Sequence, residues 1–124
     1  MTGSKPALPP GADADAFGVV VQGPGARVTR NLIWDTVGAG EGSGFAVVVS
    51  DGDGTQVLRN RLGNRNQGSS TGVRVEASSG VVVNTNRFAN FSYGIVFTVG
   101  ATGTYTGNTF VGVPTPYVGG TPGP

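Results

Sequence analysis

Two residue types that carry much of enzyme chemistry are missing from this chain. Its 124 residues include no cysteine and no histidine. Without cysteine there is no disulfide scaffold and no thiolate metal site. Without histidine the commonest general base, the Ser-His-Asp relay and nearly every transition-metal site are excluded as well. Charge is scarce too. Charged residues make up 12% of the chain and the net charge is +1, which provides neither the basic footprint of a nucleic-acid binder nor an acidic tail. No segment approaches the roughly 20 apolar residues of a membrane span. The opening "MTGSKPALPPGADADA" has one lysine and no apolar core of the kind a signal peptide needs. The expectation is a chain not exported by that route, or a piece of something larger. Its length allows one domain.

Glycine, by contrast, is abundant, with 23 residues beside 8 prolines. Such a composition occurs in disordered and collagen-like chains, but glycine does not recur at every third position here. Valines instead cluster at 19–21, 47–49 and 81–83. The glycines lie between these β-branched runs and mark turns.

The runs belong to a repeat. "FGVVVQGPGARVTRN" from Phe17 returns as "FAVVVSDGDGTQVLRN" from Phe45, "TGVRVEASSGVVVNTN" from Thr71 and "YGIVFTVGATGTYTGN" from Tyr93. Three registers move together: Gly18, Ala46, Gly72 and Gly94; then Val28, Val57, Val83 and Tyr105; then Asn31, Asn60, Asn86 and Asn108. Each asparagine stands two residues before an apolar side chain, Ile33, Leu62, Phe88 or Phe110. A period in the twenties, made of three short strand-like pieces without helical periodicity, fits one turn of a parallel β-solenoid. Equivalent residues then stack along the axis about 4.8 Å apart. Alternation points Val19 and Val21, Val47 and Val49, Val73 and Val75, Ile95 and Phe97 inward, with Val20, Val48, Arg74 and Val96 outward. The small residues are expected where the chain turns tightly into a strand. The asparagines are expected in left-handed turns, with their amides forming a structural ladder.

The Gly-Ile-like pair, short turn, valine and Asn-x-apolar triplet resemble the right-handed parallel β-helix repeats of the pectin-lyase-like superfamily. That superfamily includes polysaccharide lyases, epimerases, glycosidases and phage tailspikes. The likeness covers residues 17 to about 113. It implies an all-β fold, a right-handed parallel β-helix of about four turns, between an N-terminal extension (1–16) and a Pro/Gly-rich C-terminal tail (114–124). It also implies that any substrate groove follows the sheet that begins each turn.

Carried onto this sequence, the outward positions of that sheet are Val20 and Gln22, Val48 and Ser50, Arg74 and Glu76, Val96 and Thr98. One of the four is charged. A lyase needs a base and cations or calcium to neutralise the substrate acid, and calcium takes 6–8 oxygen ligands. Glycosidases need two carboxylates. Arg74 and Glu76 alone supply neither set, so no catalytic residue, metal or cofactor is expected. "SDGDG" at 50–54 offers Asp51 and Asp53 but lacks the rest of a calcium loop, and reads as a solvated turn.

Binding is the other chemistry available. Arg59, Arg61 and Arg65 lie close in sequence and Arg87 occupies the next turn beside Arg61, a set suited to an anionic polysaccharide or phosphate, or to a merely solubilising face. Trp34, Phe91 and Tyr93 are the aromatic candidates, with packing as the plainer role. Outward Val20, Val48 and Val96 form an apolar stripe of the kind that marks a contact surface, and short solenoids expose strand edges that recruit other chains. Three readings result. One is a non-catalytic structural or adhesive module, working as a homo-oligomer, a trimer or stack, in a virion appendage or on a cell surface. The second is a carbohydrate-binding module. The third is a truncated lyase or epimerase. Neither nucleic acid nor membrane is an expected partner.

Overall fold

Each repeat places three β-rich segments between turn residues, and each segment hydrogen-bonds to its counterpart one repeat away. The computed structural model describes residues 16–34, 44–65 and 70–123. The first coil contains β1 (Ala16–Gln22), β2 (Arg27–Thr29) and β3 (Leu32–Trp34); the second, β4 (Gly44–Ser50), β5 (Gln56–Leu58) and β6 (Arg61–Gly63). The third contains β7 (Ser70–Glu76), β8 (Val81–Asn84) and β9 (Arg87–Ala89); the fourth, β10 (Tyr93–Phe97), β11 (Gly103–Thr106) and β12 (Thr109–Val111). A partial fifth coil adds β13 (Thr115–Val118) and β14 (Thr121–Pro122). Every pairing is parallel, and the strands sort into three sheets of five, five and four. The structure is an all-β parallel solenoid.

The interior is a set of aliphatic and aromatic columns, one per inward position. Val47, Val73 and Ile95 form one, Val49, Val75 and Phe97 the next, and Val28, Val57 and Val83 face them from the second sheet, all buried. Ile33, Leu62 and Phe88 close the triangle from the third sheet. A fully buried side chain of this size contributes about 1.5–3 kcal/mol, and each added coil repeats the gain. Rings finish the column: Phe88 stacks on Phe110 at 4.8 Å, and Tyr105 on Tyr117 at 3.8 Å.

The small-residue register is explained by space rather than by a tight turn. Gly18, Gly72 and Gly94 are absent from the left-handed set. Their missing side chains point into the core, where a Cβ would collide with Ile33, Phe88 or Phe110 of the third sheet. Consecutive residues such as Ala46 and Val47 therefore both face inward, each fully buried.

The asparagines lock the bend between the second and third sheets. Asn86 Oδ1 accepts from the Asn60 backbone N–H at 2.9 Å and from Asn60 Nδ2 at 3.0 Å. Asn86 Nδ2 donates to the Val57 carbonyl at 2.9 Å and to Asn108 Oδ1 at 3.1 Å. Asn60 repeats the pattern toward Asn31 and the Val28 carbonyl. The left-handed residue, however, is the one before each asparagine: Arg30, Arg59, Thr85 and Gly107, with φ of 57, 57, 58 and 67°. That corrects the expectation that the asparagines themselves adopt it. The side chain can point down the axis only because the residue ahead of it takes the bend.

The C-terminal boundary also differs from the expectation. The tail expected over 114–124 continues the first two sheets, β13 pairing with β10 and β14 with β11. Its prolines Pro116 and Pro122 lie in the last strand of each sheet, where a missing N–H leaves no ladder partner unserved. The N-terminal extension over 1–16 lies, apart from Ala16, outside the described residues. Connector length varies mainly at one corner. The second-to-third-sheet bend is always two residues, while the stretch from the third sheet to the next first-sheet strand falls from nine (35–43) to six (64–69) to three (90–92).

Two outcomes test this account. Asn86→Ala leaves buried backbone groups unserved and should cost about 1–3 kcal/mol, seen as a lowered Tm. Asn84→Ala, which loses one bond from the Thr106 N–H, should cost less; the reverse order would refute the ladder. Burial raises the Tyr117 phenol above its ordinary 10.0, with Tyr105 adding to the rise against an opposing Asn108 hydrogen bond. A raised folded-state pKa contributes stability that is full below about pH 10 and is lost as pH climbs through the folded value. Alkaline melts should show that loss, and Tyr117→Phe should flatten it.

Candidate functional site

The outer face of the first sheet holds the groove with the widest mix of chemistry. Because Gly18 and Val19 both face the core, strict alternation breaks and the residue ahead of them is turned outward. Phe17, Phe45, Thr71, Tyr93 and Thr115 consequently form one column in register down that face. Phe17 stacks on Phe45 at 5.5 Å, and the Arg74 guanidinium lies 5.5 Å over the Phe45 ring. Arg74 Nε donates to Glu76 Oε2 at 3.1 Å. Residues 74 and 76 share a face because strand side chains alternate. One N–H of Arg74 is thus used by Glu76.

A cavity of 330 Å³ opens beside this pair, lined by Phe45, Ser70, Thr71, Arg74, Ser92 and Tyr93 among others. A second of 230 Å³, lined by Phe17, Phe45, Val48, Arg74 and Glu76, adjoins it across Phe45 and Arg74. Together they form a trough along the coils. Tyr93 is 46% exposed and forms an aromatic wall. Ser92 comes from the variable corner, so that corner shapes one end of the trough.

The expected apolar stripe is not continuous. Val20 is half exposed, but Val48 is only 5% exposed and lies buried at the trough. The bulky neighbours Phe17 and Phe45 line the same cavity as Val48. Val48 is therefore no part of an exposed stripe, and Val96 is half-buried beside Arg74.

The arginine set divides. Arg61 and Arg87 are register partners on the third sheet and line a cavity of 370 Å³ with Trp34 and Val111. Arg59 faces another groove with Arg27 and Arg30. Arg65 is exposed at the bend after β6, away from both. Phe91 is fully buried in the core. Trp34 lies across Gly63, where a Cβ would strike the indole. Asp53 Oδ1 accepts from the Ser79 N–H at 2.8 Å, tying one turn to the next. Among the described residues no three acidic, histidine or cysteine side chains gather as a metal site.

Parallel strands that advance from sheet to sheet and return one coil further on define a β-helix. The family model described as "Right handed beta helix region" matches residues 12–120. The chain belongs to that right-handed β-helix family. Curated proteins and solved structures gave no match. The β-helix match extends past Val113, in agreement with β13 and the strand edge beyond it.

The outward aromatics Phe17 and Phe45 are not among the candidates that the sequence analysis names. Their signal was an aromatic directly ahead of the small-residue register in three of the four copies.

Trp34 is the single tryptophan, so its seat is directly readable. Gly63→Val should displace the indole and shift its fluorescence emission to the red, with the far-ultraviolet spectrum of the β-helix kept. An unshifted emission would show that the ring does not rest on Gly63.

Proposed function

We propose that this β-helix is a non-catalytic adhesive module that holds a carbohydrate chain in the trough on its first sheet. The observation that carries the reading is the trough itself: a half-exposed Tyr93, the Phe45-backed Arg74 and the hydroxyls of Ser70, Thr71 and Ser92 around one cavity. An aromatic wall offers an apolar face to a sugar ring, while fixed polar groups take its hydroxyls. Arg74 adds a charged fork suited to a carboxylate or other anionic substituent. Its stacking on Phe45 and its bond to Glu76 hold that fork in place, which limits the entropy lost on binding.

Absence of histidine from the whole chain supports binding over turnover. So does Glu76, the one carboxylate among the described residues that line the trough, which is already engaged by Arg74. General acid–base cleavage of a glycoside calls for two such groups. The lyase-like reading thus has one shared residue pair where it needs several.

Titration with polygalacturonate and with a neutral glucan, followed by calorimetry, tests the proposal. At least one should bind, and Tyr93→Ala or Arg74→Ala should weaken it about tenfold or more, a loss comparable with one charge-assisted bond. Equal binding by both variants would remove the trough as the site. Release of ultraviolet-absorbing unsaturated products, abolished in Glu76→Gln, would overturn the non-catalytic half.

A further inference from the structure

The bend between the second and third sheets takes a left-handed residue in every coil. Glycine accepts that conformation freely and asparagine tolerates it. The fourth coil uses Gly107, but the first two use Arg30 and Arg59, both at φ 57°. Nothing in the bend itself calls for arginine, since Thr85 and Gly107 serve the same asparagine ladder. Two long cations have been placed, one coil apart, where the backbone disfavours them. A strained residue points to a role outside the fold.

Their surroundings say what that role is. Arg27, Thr29, Arg30, Arg59, Asn84 and Thr85 line a groove of 520 Å³. Guanidinium groups only donate. Asn84 Oδ1 already accepts from the Thr106 N–H at 3.0 Å, which leaves its Nδ2 donors for the groove. The two threonine hydroxyls can donate as well. Among the described residues no acidic side chain lines the groove, and Arg27, Arg30 and Arg59 have no ion pair. The described acids, Asp51, Asp53 and Glu76, sit instead on the first sheet and the turn that leaves it. A surface made of donors, with stacked cations about 4.8 Å apart along the axis, fits a compact oxyanion with several acceptor oxygens.

We infer that this groove is a second binding site, which takes the sulfate ester groups of a sulfated polysaccharide. Arg30 and Arg59 clasp one ester from adjacent coils, and Arg27 with Asn84 completes the set. A nucleic acid suits it less: among the described residues no aromatic ring lines the groove to stack a base, and a net charge of +1 gives little long-range attraction to a polyphosphate. This site lies on another face from the first-sheet trough and stands whether or not that trough binds sugar.

Binding of dextran sulfate, unmodified dextran and single-stranded DNA to the full chain, each at fixed ionic strength, tests the inference. Dextran sulfate should bind and dextran should not. Arg30→Gly with Arg59→Gly should lower the affinity about tenfold or more while melting no lower than the parent, because glycine relaxes the bend. Arg27→Gln, at an ordinary strand position, should weaken binding in the same direction without touching the bend. Tyr93→Ala should leave it unchanged, which separates this site from the trough. Undiminished dextran sulfate binding in both arginine variants, or DNA binding as tight as that of dextran sulfate, would overturn the assignment.

Discussion

Everything in this molecule depends on keeping one coil in register with the next, and the buried amide ladder does that at the sharpest bend. Each interior asparagine serves the backbone and side chain of the asparagine one coil away, and also reaches a second-sheet carbonyl there. A two-residue bend leaves backbone polar groups without strand partners, and burying them unserved is costly. The ladder answers that cost once per coil. A slip of one residue would turn every inward side chain out, so the same amides that satisfy the bend also keep Val57, Val83, Leu62 and Phe88 in the core.

Given that register, the two grooves follow from what the columns leave outside. The core takes two consecutive residues at the start of each first-sheet strand, because third-sheet side chains such as Ile33, Phe88 and Phe110 fill the space over the small one. The residue before them is driven outward, and the aromatic column of the trough results. On the opposite bend, the asparagine claims the inward direction and the residue ahead of it must be left-handed. Its side chain then has only the outer surface to occupy. One face of the β-helix thus becomes aromatic and hydroxyl-rich, the other cationic, without any change to the interior.

How far the sequence discloses this depends on whether a residue's role is periodic. The inward valines, the asparagine ladder and the Arg61–Arg87 stacking recur at repeat spacing, and alternation reads them correctly. Alternation fails where its period is broken. Phe17 and Phe45 are not among the candidates the sequence offers, because a doubled inward pair cannot be seen in a string of small and apolar residues. Val48 keeps the outward position that alternation gives it, yet beside Phe17 and Phe45 it is only 5% exposed. Proline suggested a tail at 114–124, yet the terminal strands of a parallel stack have one side free of partners and accept Pro116 and Pro122. The arginines were grouped by sequence proximity, but Arg59 and Arg61 flank the bend and look in different directions.

Length variation is greatest in the connectors leading from the third sheet to the first, which shorten from nine residues to three while the asparagine bend never changes. The part of the chain that determines whether the molecule folds is therefore separate from the part that shapes the mouth of the trough. Insertions at that corner would be closed by loop entropy that grows only slowly with length, leaving the columns untouched. A scaffold divided in this way can acquire a new ligand by editing one corner, as a handle can be recut without altering the blade.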